Sequence, residues 1–182
     1  MSSDLIIEPL LADEWGYVAE ACKAHGVELP ARYCGDTGDY LLISLFNLAS
    51  ISCFINYVSE LEGLQAQDAV TKTGFRNLPW WLESYWFPFD FAAPIVKSGL
   101  FIGSSINLLN ELARIRTMSR IDIATVPPGY AEMRADYTSW FNAPAAEDDR
   151  LSGDDLLRWI WNALHESAQI SIEQQAPIKL AP

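Results

Sequence analysis

The feature that most constrains the fold is the stretch 39–62, which carries no charge between Tyr40 and Val58. Plotted at helical spacing, its apolar side chains surround the axis: one side holds Leu42, Phe46, Cys53 and Tyr57, and the other Leu41, Leu45, Leu48 and Ile55. A helix that is apolar all round lies either in a protein core or in a membrane. The sequence therefore predicts a central helix at about residues 39–62 around which the rest of the chain is arranged.

Two properties of this stretch favour a protein core over a bilayer. Its length is adequate for a membrane span, which takes about 20 apolar residues, but five of its side chains are polar: Ser44, Asn47, Ser50, Ser52 and Asn56. Both flanks are acidic, so no excess of Lys or Arg orients a span. We expect a buried core helix, and a membrane-associated protein whose central helix inserts is the alternative.

Helical spacing of apolar residues recurs before and after the central stretch. It predicts helices over residues 9–25 and 94–118, and a last helix after the capping box of residues 152–155. The predicted fold class is therefore all-α or nearly so. We expect a single acidic domain of residues 1–182, a bundle of five to seven helices around the central one, with a loose tail after residue 174.

The net charge of −12 is unevenly distributed. Residues 1–70 hold 11 acids and 2 bases, residues 71–144 hold 6 acids and 7 bases, and residues 145–182 hold 7 acids and 3 bases. An acidic protein repels nucleic acid and anionic membranes and attracts basic surfaces. The charge predicts a basic protein partner, with no nucleic acid and no membrane, although it also fits a need for solubility alone.

The cysteines and the N-terminus indicate where the protein works. Three cysteines do not make a disulfide framework, and their odd number suits a reducing compartment. The N-terminus is acidic and lacks the basic n-region of a signal peptide. We expect a cytoplasmic protein.

Two constellations are weak candidates for chemistry. Cys22, His25 and Cys34 are zinc-ligand types at a C-x-x-H spacing, but no fourth ligand is convincing and Cys22 fits the apolar stripe of its helix. Glu83 and Asp90 are carboxylates within an aromatic segment, the arrangement that acid–base catalysis on a sugar requires. The chain has no nucleotide-binding loop. We expect no metal, no cofactor and no catalysis, with an enzyme based on these two carboxylates as the alternative.

Aromatic residues are concentrated at 75–91, which hold 8 of the 22 aromatic side chains. Buried rings build a core, whereas exposed rings anchor interfaces. We expect most of these rings to be buried and one or two of Trp80, Trp81 and Trp86 to reach the surface. Trp159 lies outside the apolar stripe of the last helix, so we expect it to be exposed as well.

These features together predict a binding protein that neutralises a basic partner such as a toxin domain, as bacterial immunity proteins and antitoxins do. Acidic side chains would steer association, and a few rings would anchor the complex. The residues predicted to contact the partner are Asp36, Asp39, Glu147, Asp148, Asp149, Asp154, Asp155, Trp159, Trp80 and Trp81.

Overall fold

The computed structural model describes residues 2–35, 41–65, 72–78, 83–91, 93–97, 99–135 and 153–181, and these form a mixed α/β protein. In chain order, its named elements are β1 (Ser2–Ile7), α1 (Ala12–Ala24), β2 (Leu41–Asn47), α2 (Leu48–Leu61), β3 (Glu83–Phe87), β4 (Ile95–Lys97), β5 (Leu100–Ser104), α3 (Ser105–Met118), α4 (Tyr130–Ala135), α5 (Asp154–Gln174) and β6 (Ile178–Ala181).

The strands form one mixed sheet in the order β2-β1-β6-β3-β5-β4. Strands β3 and β5 are parallel, and the other neighbouring pairs are antiparallel. Strand β6 lies between β1 and β3, so the last strand of the chain joins the N-terminal strands to the β3–β5–β4 half of the sheet.

Helices cover both faces of the sheet. Helices α2, α3 and α5 pack on the face that presents Trp86 and Phe101, whereas α1 packs on the face that presents Tyr85 and Ile102. Side chains that face the first core and side chains that face the second alternate along β3 and β5, because successive side chains of a strand point to opposite faces. The result is three layers, with α1 covering the second face.

The prediction of an all-α bundle around a helix at residues 39–62 is wrong. Residues 41–47 form β2 at the edge of the sheet, and the helix α2 begins only at Leu48. Helix α2 is amphipathic, since Phe54 is buried while Ser52 is exposed. A short apolar run fits a buried strand as well as a helix, and periodicity alone cannot separate the two. In the part of the chain that the structure describes, no helix is both long and apolar enough to cross a bilayer.

The predicted helix over residues 94–118 is shorter than expected, because β4 and β5 occupy its first half. Gly103 lies within β5, opposite Trp86 of β3. A Cβ atom at this glycine would lie 2.8 Å from Trp86 Cδ1, closer than van der Waals contact allows. Glycine is therefore required here for the Trp86 ring to pack over β5.

A buried carboxylate ties the chain before β3 to helix α3. Glu111 accepts hydrogen bonds from the backbone amides of Arg76 (2.8 Å) and Asn77 (2.7 Å) and from the Asn77 side chain (3.0 Å). Asn77 also accepts from the Ser104 amide, and its carbonyl accepts from Trp86 Nε1. Burial raises the pKa of Glu111, and the donated hydrogen bonds oppose that rise. This network fixes β3, β5 and α3 relative to one another.

The expectation of a loose tail after residue 174 is wrong for residues 178–181. They form β6, whose Ile178 and Leu180 side chains are 0% and 1% exposed. Ile178, Lys179 and Leu180 alternate between apolar and polar, but four residues are the shortest run that indicates a strand, and the pattern does not reveal the pairing partners.

Replacing Leu180 with Ala should lower the free energy of unfolding by about 2–5 kcal/mol, because it leaves a cavity beneath the central strand. Urea unfolding followed by tryptophan fluorescence measures the loss. The exposed Glu173→Gln in α5 is the control, and its effect should stay within about 0.5 kcal/mol. Equal stability of the two variants would place residues 178–181 outside the core.

Candidate functional site

A cleft of about 380 Å³ lies between α1 and the strands β3, β4 and β5. Helix α1 contributes Tyr17, Glu20 and Ala21, which share one face because they are three and four residues apart. The strands contribute Glu83, Lys97 and Leu100. Leu100 is the register partner of both Glu83 and Lys97, so strand pairing places these three residues in a row across the sheet.

A chain of hydrogen bonds fixes the Glu83 carboxylate in this cleft. The Tyr85 hydroxyl lies 2.8 Å from the Tyr17 hydroxyl, which donates to Glu83 Oε1 at 2.5 Å. Tyr85 also lies 3.2 Å from the same oxygen. The second oxygen, Oε2, accepts no hydrogen bond from any residue that the structure describes. One carboxylate oxygen is thus held in place while the other can receive a donor from outside.

The two phenols stay protonated at neutral pH. Burial, followed by the hydrogen bond to Glu83, raises the pKa of Tyr17 to about 12. Tyr85 is only 1% exposed, and burial also raises its pKa strongly. Tyr17 therefore remains a hydrogen-bond donor to Glu83, although 41% of its surface is exposed in the cleft.

A polar cluster lies beside these tyrosines, between α1 and the sheet. Lys179 of β6, the register partner of Tyr85, forms an ion pair with Glu14 of α1. Glu8 is 8% exposed, and burial raises its pKa, an effect that the charge of Lys179 opposes. The cluster therefore holds two carboxyl groups and one ammonium group in the layer beneath α1.

A second acidic region surrounds the N-terminus of α5. Asp154 is exposed, and Asp155 is half-exposed and paired with Arg158 at 2.8 Å. Arg158 also donates to the backbone carbonyl of Asp122 at 3.1 Å, which holds the exposed Asp122 beside the helix. We call Asp122, Asp154 and Asp155 the α5 acidic surface.

The cleft and the α5 acidic surface lie on opposite faces of the sheet. Helix α5 packs on the face that presents Trp86, whereas the cleft lies beneath α1 on the face that presents Tyr85. On its own face, α5 runs antiparallel to α3, since Ser105 contacts Ser171 and Leu112 accepts from Trp161.

Of the residues predicted to contact a partner, the structure places three. Asp154 and Asp155 belong to the α5 acidic surface, whereas Trp159 is only 3% exposed and packs edge-on against Tyr130 at 5.2 Å. The expectation that Trp159 reaches the surface is wrong, because α4 covers it. The others lie outside the described residues: Asp36, Asp39, Trp80, Trp81, Glu147, Asp148 and Asp149.

The weak metal candidates do not gather into one site among the residues that the structure describes. Cys22 is buried in the core under α1, Cys34 is half-buried, and His25 Nδ1 is hydrogen-bonded to the Ala21 carbonyl at 2.9 Å. Within the described ranges, no three His, Cys, Asp or Glu side chains gather as metal ligands.

The candidate catalytic pair is not brought together. Glu83 begins β3, and Asp90 lies three residues beyond the end of this strand, where it accepts from Asn107. The strand places Glu83 roughly 13 Å from Phe87 at 3.3 Å per residue, and Asp90 follows at that far end. Carboxylates at the two ends of this strand are further apart than the spacing that glycoside hydrolysis uses.

Sequence reasoning singled out Glu83 for its aromatic neighbours but missed Tyr17, Glu20 and Lys97. Tyr17 and Glu83 are 66 residues apart, and only the packing of α1 on the sheet brings them together. The helical spacing of Tyr17 and Glu20 was the available signal, and it indicates a shared face without indicating its neighbours.

The fold and these two regions define an acidic α/β protein. A family model described as "Putative DNA-mimic protein" matches residues 82–180, more than half of the chain. The chain belongs to this family. Searches of curated proteins and of solved structures gave no match. The matched segment includes Glu83, Lys97 and the whole α5 acidic surface.

The family corrects the predicted partner. A toxin domain, and with it the immunity-protein or antitoxin type, has no support, whereas a DNA-mimic family points to a DNA-binding protein. Charge alone could not separate these partners, because both classes can present basic surfaces to an acidic protein.

Replacing Glu83 with Gln should lower the pKa of Tyr17 from about 12, because it removes the negative charge that stabilises the protonated phenol. Burial should keep the pKa above the ordinary value of about 10. NMR titration of ¹³Cζ-labelled tyrosine measures it. Glu20→Gln removes a charge from the same cleft without removing a hydrogen bond to Tyr17, so its effect should be smaller. An unchanged pKa in Glu83→Gln would contradict the hydrogen-bond chain.

Proposed function

We propose that this protein is a DNA mimic that occupies the DNA-binding surface of a partner protein and thereby excludes duplex DNA from it. Membership of the DNA-mimic family is the observation that carries the proposal. The net charge of −12 supports it, because a protein that replaces DNA must attract the same basic surface. We expect it to act in the compartment of its target, the cytoplasm.

Carboxylates can replace phosphates in such a complex. Half or more of the hydrogen bonds between proteins and DNA go to phosphate and sugar, and their donors are Arg, Lys, polar side chains and backbone amides. A carboxylate offers these donors two charged acceptor oxygens. Charge complementarity also accelerates association, and added salt weakens that effect.

The α5 acidic surface is our candidate for the phosphate-like face. Arg158 holds the Asp122 segment against α5, and Asn162 holds the same segment through the Thr125 carbonyl at 3.2 Å. A segment held in place loses little freedom on binding, which lowers the cost of association. In sequence, Glu147, Asp148 and Asp149 precede α5 by five to seven residues and add further negative charge to this part of the chain.

The experiment begins with capture on the immobilised protein from an extract of its source. Proteins that short duplex DNA elutes are identified, purified and bound to a fluorescent duplex, and displacement of the duplex by this protein is followed by anisotropy. We expect displacement to weaken as salt rises.

Asp122→Asn/Asp154→Asn should weaken displacement of the duplex about 10-fold, which corresponds to about 1.4 kcal/mol. Glu60→Gln/Glu173→Gln removes two charges from exposed positions elsewhere and is the matched control. Equal loss in both variants would assign the effect to net charge and contradict the α5 acidic surface as the interface. Captured proteins that duplex DNA fails to elute would contradict DNA mimicry itself.

A further inference from the structure

We propose that the cleft between α1 and the strands β3–β5 binds the guanidinium group of an arginine from the DNA-binding partner. The identity of the partner rests on the proposed function. The affinity for a guanidinium group rests on the residues of the cleft, and it can be tested without any partner.

The acceptor for this guanidinium group is Glu83. Tyr17 holds one of its oxygens, and the other accepts no hydrogen bond from a residue that the structure describes. A carboxylate with a fixed orientation suits the rigid fork of N–H donors on arginine better than it suits the flexible ammonium of lysine. The orientation of Glu83 is fixed before a ligand arrives, so little side-chain freedom remains to be lost.

The walls of the cleft suit the rest of the guanidinium group. Tyr17 is 41% exposed and lines the cleft, and arginine stacks on aromatic rings of this kind. Glu20 lies one turn further along α1, is exposed and has no ion pair with the described residues. Ala21 and Leu100 supply apolar contacts for the methylene groups of the side chain. Two carboxylates in one cleft repel an anionic ligand. A neutral ligand would leave the negative charge of these carboxylates uncompensated.

Lys97 allows a test in which two substitutions in the same cleft change the binding of arginine in opposite directions. Its side chain lines the same cleft, and it forms no ion pair with any residue in the described ranges. A positive charge here repels an incoming guanidinium group and competes with it for the carboxylates. Removal of Lys97 should therefore strengthen binding of arginine, whereas removal of Glu83 should weaken it.

The probe is a five-residue peptide with one arginine between glycines and blocked ends, titrated into the ¹⁵N-labelled protein. Amide shifts should change in residues 16–21, 83–86 and 95–101 and saturate at millimolar peptide. The same peptide with citrulline, which is neutral and nearly isosteric, should bind at least about 10-fold more weakly, since each factor of ten corresponds to about 1.4 kcal/mol.

Three variants assign the effect to the cleft. Glu83→Gln should weaken binding of the arginine peptide about 10-fold, and Lys97→Gln should strengthen it severalfold. Glu132→Gln, an exposed carboxylate of α4, should leave it unchanged. Lys97 is exposed, so its variant tests the cleft even if Glu83→Gln disturbs the fold. Equal binding of citrulline, or no gain in Lys97→Gln, would overturn the inference.

The two proposals can fail separately. If the arginine peptide binds in the cleft and no captured protein loses its DNA, the cleft stands and DNA mimicry is overturned. If DNA is displaced normally and the arginine peptide leaves residues 16–21 unperturbed, the mimic stands and the guanidinium site is overturned.

Discussion

The hydrogen bonding of β6 to both of its neighbours is the interaction on which the rest of the structure depends. Residues 178–181 pair with β1, and residues 178–180 pair with β3. A central strand must satisfy its backbone groups on both edges, because each buried group left unpaired costs about 1–3 kcal/mol. The 81 residues before the family match are therefore not an appendage. They supply β1, β2 and α1 to the same sheet and the same core.

The cleft forms because the residues before the matched segment and the residues within it build the same sheet. Its strand residues, Glu83 among them, belong to the segment that the family model matches, whereas Tyr17 and Glu20 come from α1, which precedes it. Lys179 of β6 pairs with Glu14 and so holds α1 over the sheet. The residues that position the cleft therefore come from both ends of the chain.

The net charge of an acidic protein does not show how many of its acidic side chains are exposed to a partner. Glu8, Glu14 and Glu111 are buried, so their charges contribute little to the electrostatic potential that a partner meets at the surface. Glu111 satisfies backbone amides before β3, and Glu14 compensates the charge of Lys179. An acid that is committed to a buried donor cannot attract a partner, and so the acids available for binding are fewer than the sequence suggests. The exposed Asp122 and Asp154 retain that capacity.

The sequence by itself determined the acidic character, the absence of strong catalytic motifs and the helices at either end. The helix predicted over residues 9–25 and the last helix are confirmed by α1 and α5, since amphipathic spacing is a local property. The capping box predicted at residues 152–155 is wrong, because the N-cap of α5 is Gly153 and no side chain caps it. Only the tertiary structure decided that residues 41–47 and 178–181 are strands, because strand pairing depends on partners far along the chain. For the same reason, only the tertiary structure showed that Tyr17 contacts Glu83 and that Trp159 is buried beneath α4. The sequence predicted an acidic surface, and the packing of α1 and α5 decided where its carboxylates lie.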